Sequence, residues 1–274
     1  MSVVFVNMSL KTVVYNSLPK RLKPLAQQGY RQITGVPSES ELHTEFIDQF
    51  FDSREEYEQY VAEFNDEAIS EIRDQALREY RKLTGGDSMG TIGLNTAQDY
   101  YALVRKEQPS RIVETGVCNG ISTLSILLAL RENGCGSLYS IDYPFRADES
   151  LEEFQAETFG NFAGEAIPSD KDPGWIIPDT LRKDWTLILG KSQRELPKHV
   201  REHGEMELFI HDSEHSHPCM MFEYELAYEW LEDTGVILSD DIGWNDAFSV
   251  FVDVREPIHG KISHNVGYVR KQSE

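Results

Sequence analysis

The chain of 274 residues carries 26 basic and 47 acidic side chains, a net charge of −21, on a composition of 40% hydrophobic and 11% aromatic residues. That length suits one large α/β domain with an extension. The charge excludes a generic nucleic-acid binder, which needs a basic face, and no apolar run approaches the ~18 residues of a membrane span.

The charge is uneven along the chain. Residues 1–31 hold Lys11, Lys20, Arg21, Lys23 and Arg31 and no acid. Such an arm either packs on the protein's own acidic body or makes a weak contact with an anionic membrane surface. Pro19 and Pro24 break any long amphipathic helix there. The acidic remainder fits a protein kept soluble in high salt, hence a halophilic source, or an ordinary acidic cytosolic protein. No basic stretch precedes the apolar start, so no secretory signal is expected. Cys118, Cys135 and Cys219 show no metal spacing, and a reducing cytoplasm is expected.

Residues 41–84 read as helical: Tyr57, Val61, Phe64, Ala68, Ile72, Ala76 and Tyr80 recur three or four apart as one apolar stripe. "GGDSMG" at 85–90 ends that stretch. A short helix follows in "NTAQDYYALVRKEQ", with Asn95 or Thr96 as N-cap. From Arg111 strands alternate with helices. "RIVET" is a strand and a helix starts at Ile121. "SLYSID", "TLILG", "MELFIHD" and "GVILSDD" are further strands. "HPCMMFEYELAYEWLED" is a helix whose solvent stripe is Glu225, Glu229, Glu232 and Asp233, the rest being apolar. "SVFVDV" and "NVGYVRK" read as late strands forming a hairpin. Residues 145–185 are polar, punctuated by Pro and Gly, and read as an insertion or lid. The expected fold class is α/β, an open doubly wound, mostly parallel sheet. The expected domains are a helical extension with a basic arm over 1–94 and a catalytic domain over 95–274. The extension either covers the site or makes a homo-oligomer.

Ligands on such sheets bind beyond the carboxyl ends of the strands. "VETGVCNGIST" places Glu114, Gly116, Cys118 and Gly120 at the first of these ends, and Asp142 ends the second strand, suited to ribose hydroxyls. A dinucleotide loop needs G-x-G-x-x-G with its amides open to a pyrophosphate. Here Cys118 replaces the middle glycine and an acid stands beside the turn. Glu114 repels a pyrophosphate and suits a cationic cofactor, which favours S-adenosylmethionine over NAD. The alternative for Glu114 is a strand-end carboxylate with a purely structural role.

These segments, with "LILGKSQRELP", "FIHDSEHSH" and "GVILSDD", resemble the class I S-adenosylmethionine-dependent methyltransferases over about residues 95–255. They look most like the branch whose fourth strand ends in a D-G-D-H-S pattern. The resemblance implies a seven-stranded Rossmann-like sheet with a reversed last strand. It implies that Glu114 and Gly116 hold the methionine moiety, Asp142 the ribose, and Gly190, Lys191 and Ser192 the adenine. Many relatives carry an acid where Lys191 stands. Trp175 either covers the site or belongs to the core.

Asp212, Asp240 and Asp241 end the fourth and fifth strands on one rim. Carboxylates facing one cavity repel each other unless a cation or proton intervenes, and such oxygen ligands suit Mg²⁺, Mn²⁺ or Ca²⁺. The set resembles the cation-dependent O-methyltransferases, with Asn245 a further candidate ligand. Plain alternatives are solvated loop charge for Asp240 and Asp241 and a helix N-cap for Asp212. By the same resemblance His215 is the candidate base, ahead of His211 and His217. The reading is a divalent-metal-assisted methyltransferase acting on a hydroxyl of a small molecule or glycan precursor. A metal-free methyltransferase, a nicotinamide-dependent oxidoreductase and a non-catalytic cofactor binder are the rivals.

Overall fold

The computed structural model describes residues 36–85, 92–158 and 166–273. The basic arm and most of "GGDSMG" lie outside these residues. Among the described residues three helices come first: α1 (Glu39–Phe50), α2 (Arg54–Phe64) and α3 (Glu67–Thr84). The stripe over 57–80 is therefore divided. Asp66 accepts from the Glu67 amide as a new N-cap, so α2 and α3 are separate elements. Gly85 closes α3 in the left-handed region, φ 82°. Next, α4 (Leu94–Glu107) starts two or three residues earlier than an N-cap at Asn95 or Thr96 implies. Its N-cap is Gly93, with no side-chain bond.

The sheet follows as β1 (Arg111–Thr115), β2 (Ser137–Asp142), β3 (Trp185–Leu189), β4 (Met206–His211), β5 (Leu231–Ser239), β6 (Ile258–Lys261) and β7 (Gly267–Arg270). Its order is β3-β2-β1-β4-β5-β7-β6. The first five strands are parallel, and β7 runs antiparallel to both β5 and β6. This is the seven-stranded, Rossmann-like sheet with a reversed last strand that the resemblance implies. Between strands lie α5 (Ile121–Asn133), α6 (Leu151–Glu157), a 3₁₀ turn (Asp179–Asp184), α7 (Ser192–His203), α8 (His217–Glu229) and α9 (Ala247–Arg255).

Strand alternation sends neighbours to opposite faces. On β4, Leu208 and Ile210 join the core that packs α1 to α5, and Phe209 joins the core under α7, α8 and α9. Both faces are covered, which is why these strands read as apolar runs. Phe46 and Phe50 of α1 lie 6.0 and 5.0 Å from the Tyr268 ring of β7. The helices of residues 39–84 thus share the core on one face of the sheet.

Two expected elements differ. "SVFVDV" is helix α9, not a strand, because the Asn245 Oδ1 accepts the Ala247 amide at 2.8 Å. Ala247, Phe248, Phe251 and Val252 then fall on one buried helical face. The hairpin pairs β6 with β7 instead. Also, α8 ends at Glu229, so Glu232 and Asp233 belong to the start of β5. Its interior is not uniformly apolar, since Glu223 is fully buried there.

Candidate active site

One cavity of about 390 Å³ opens beyond the carboxyl ends of the strands, within the range of small-molecule sites. Among the expected residues it is lined by Gly116, Cys118, Asp142, Gly190, Lys191, Ser192, Asp212, His215, Asp240 and Asp241. Residues from the ends of all five parallel strands are brought together. Glu114, Gly120 and Asn245 are not on its walls.

The turn after β1 explains two of those placements. Gly116 has φ 84°, and a Cβ there would sit 1.9 Å from the Asp212 carbonyl oxygen. Glycine is needed because the chain after β4 crosses at this point. Glu114 points away from the cavity into the protein. Its Oε1 accepts from Ser122, and its Oε2 accepts from Thr123 and Ser140, at 2.7 to 2.8 Å. Burial pushes its carboxyl up to about 7, with those three hydroxyls opposing. The expected contact of Glu114 with a methionine moiety is therefore corrected. Its oxygens are spent on hydroxyls, and the charge facing the cavity comes from other acids.

Gly120 is also corrected. A Cβ there would lie 2.8 Å from the Gly174 Cα, so the insertion and not a cofactor covers it. The Gly174 amide donates to the Cys118 carbonyl at 2.9 Å. Trp175 donates from Nε1 to the Asn119 Oδ1 at 2.6 Å and stacks on Tyr80. It packs against the core and does not line the cavity. Cys118 takes φ 50°, a left-handed conformation that favours glycine. Its amide and that of Val117 donate to the Asp142 Oδ2 at 2.8 and 2.6 Å. These bonds fix Asp142 on the wall. Burial raises its carboxyl and the two amides oppose that. Beside it, the Lys191 Nζ lies 5.0 Å from the Tyr143 ring centre.

At the other end of the cavity His215 stands between two acids. Its Nε2 is 3.7 Å from Asp212 and its Nδ1 is 3.8 Å from Asp241. Both gaps exceed hydrogen-bond reach, and the buried Nε2 has no hydrogen-bond partner. Burial lowers the His215 imidazole below its ordinary range, against the pull of the acids around it. Burial, then Asp212 and Asp241, push Asp240 up to about 7. Asp212 is raised by burial and by Glu114, Asp241 and Asp142, with His211 opposing. Its side chain keeps 23% exposure, and cavity water tempers that rise.

Ser216, not Asp212, is the N-cap of α8. Asn245 donates to the His215 carbonyl and caps α9 with its oxygen, so it is not available as a metal ligand. Among the described residues no three His, Cys, Asp or Glu side chains are placed to hold one ion. As they stand, the donors do not fit the divalent cation the resemblance implies. His217 lies outside the cavity lining, 3.4 Å from Asp246.

His211 is fully buried, and its Nδ1 meets the Glu223 Oε2 at 2.7 Å. Sequence reading misses this pair. Glu223 also accepts from Thr115 at 2.5 Å and Ser213 at 2.7 Å. Burial alone would raise its carboxyl, yet His211, Ser192 and Thr115 hold it below its usual value. The available signal is position: Glu223 shares a helical stripe with the buried Cys219, Met220, Tyr224 and Ala227.

Residues 113–242 match the family model described as a methyltransferase domain. No curated protein matches the chain in sequence. Solved structures similar to it include a Podospora anserina methyltransferase, PaMTH1, bound to S-adenosylhomocysteine (SAH). It is 16% identical, covers 76% of this chain and 89% of its own, and has a TM-score of 0.46. The O-methyltransferase TomG from Streptomyces achromogenes is 16% identical over 75% of this chain and 90% of its own, with a TM-score of 0.46. A Bacillus cereus O-methyltransferase is 10% identical over 73% and 91%, with a TM-score of 0.47. The matched segment, from β1 to just past β5, is similar to a methyltransferase domain and contains the ends of all five parallel strands on the cavity.

Proposed function

We propose that the protein transfers a methyl group from S-adenosylmethionine to a hydroxyl oxygen. The observation that carries this reading is the division of one cavity. Gly116, Asp142 and Gly190 to Ser192 form one part, and His215 flanked by Asp212 and Asp241 forms the other. The first part fits the cofactor. Asp142 is anchored by two backbone amides at the position for ribose hydroxyls. Asp212 brings to the cavity wall the carboxyl group that Glu114 does not. No G-x-G-x-x-G amide cradle is present for a pyrophosphate.

When bound, S-adenosylmethionine supplies a methyl group carried on a sulfonium. His215 would take the acceptor's hydroxyl proton on Nε2. A neutral imidazole with a bare Nε2 suits that step. Asp212 and Asp241 stabilise the imidazolium that forms. Metal assistance lacks support from this donor set because Asn245 is committed elsewhere.

The acceptor is a small molecule or a glycan precursor. A cytoplasmic location, a halophilic source and a membrane contact through residues 1–31 rest on composition and charge. Among the described residues no helix is long and apolar enough to cross a membrane. Unchanged vesicle binding after deletion of residues 1–31 would remove the membrane contact. The test of the activity is methyl transfer from labelled S-adenosylmethionine to a panel of phenolic and sugar hydroxyl acceptors, with and without chelator. Turnover that survives chelation supports the His215 route. Turnover abolished by chelation and restored by Mg²⁺ contradicts it.

A further inference from the structure

Three loops of the cavity wall are tied to one buried carboxylate. Glu223 of α8 is fully buried. Thr115, next to Gly116, donates its hydroxyl to the Glu223 Oε2 at 2.5 Å. Ser213, between Asp212 and His215, donates to the Oε1 at 2.7 Å. Ser192, which begins α7 and lines the cavity, also bonds to this carboxylate. His211, the last residue of β4, meets the Oε2 at 2.7 Å. The Cys219 thiol lies 3.5 Å from the Oε1 and accepts from the Gln193 amide at 3.0 Å.

From this we infer that Glu223 is a positioning residue for the cofactor cleft. The inference rests on the methyl-donor reading above. An ionised carboxylate accepts only, so every surrounding hydroxyl must donate to it and the His211 Nδ1 must carry its proton. That fixes the direction of each bond at once and leaves the loops after β1, β3 and β4 in a single relative placement. Gly116, Ser192, Ser213 and Asp212 on those loops all face the cavity. Both Glu223 oxygens have donors, although the buried His211 Nε2 has no partner, and such a buried network rigidifies what it touches. Glu223→Gln keeps the size of the side chain but turns one acceptor into a donor. The hydroxyl or imidazole facing it must then reorient, and the loops shift.

The test is titration calorimetry with SAH at a temperature where circular dichroism shows each variant folded. Glu223→Gln is expected to weaken binding by about tenfold or more. Ser213→Ala, which cuts only the tie to the post-β4 loop, is expected to weaken it about threefold with an unchanged melting temperature. In the double variant the two losses are expected to be less than additive. Should Glu223→Gln fail to fold, Ser213→Ala paired with Thr115→Val decides the matter in the same way. Wild-type affinity in Ser213→Ala, or strict additivity, would overturn the positioning role. Wild-type protein that binds no SAH would instead remove the methyl-donor reading itself.

Discussion

Two sets of carboxylates stand beneath and around the same cavity and differ in what surrounds them. Glu114 and Glu223 are sealed in the protein, and each has donors aimed at both oxygens. Asp212, Asp240 and Asp241 face the cavity, where Asp212 and Asp241 have the His215 imidazole just beyond hydrogen-bond reach. The sealed acids hold loops in place. The cavity acids leave their oxygens open to a ligand. A strand-end acid is assigned to one set or the other by the donors packed around it, and those come from distant segments.

The largest effect that tests this contrast is on His215, which serves the cavity set. His215→Ala is expected to lower methyl transfer by about 10²- to 10⁴-fold, the range for a general base. SAH affinity should stay within about threefold, as calorimetry would read. A joint loss of rate and affinity would make His215 a binding residue.

Next comes the sealed set. Glu114→Gln is expected to cost roughly 2 kcal/mol of stability in urea unfolding, because hydroxyls lose an acceptor. SAH affinity should move by less than about threefold. The reverse pattern, with stability kept and affinity lost, would move Glu114 into the cavity set and break the comparison.

His199 is a buried group away from both sets. Burial, then His203 and Arg111, lower its imidazole to about 4 from 6.5. Between those values the unfolded chain holds a proton that the folded chain lacks. The stability it gives is complete above about 6.5 and is lost as pH falls toward 4, on the order of 2–3 kcal/mol. Urea unfolding of His199→Phe should lose that part of the acid sensitivity. An unaltered pH profile would assign the loss to other groups.

The smallest effect belongs to the cavity set. Asp241→Asn relieves like charge near Asp212 and Asp240 and should raise stability by less than about 1 kcal/mol. A clear destabilisation would show that Asp241 is held as firmly as Glu114.

Much of the frame was legible in the sequence. The five parallel strands and α5 follow from apolar runs between glycine turns, and the strand-end residues Asp142, Asp212, Asp240 and Asp241 do share one cavity. "SVFVDV" misled because its alternation satisfies two periods, and only the cap from Asn245 decides for the helix. The same cap withdraws Asn245 from the site. Glu114 misled because its partners Ser122, Thr123 and Ser140 are hydroxyls on two elements, invisible to a motif. Glu223 was hidden because a lone acid on an apolar stripe looks like surface until the donors around it are seen.

The most direct test of the central claim is titration calorimetry of the wild-type protein and Asp142→Asn with SAH and, separately, with NAD. The structure leads us to expect one SAH site in the wild type, about tenfold or more weaker in Asp142→Asn, and no heat with NAD. Binding of NAD without SAH would contradict it.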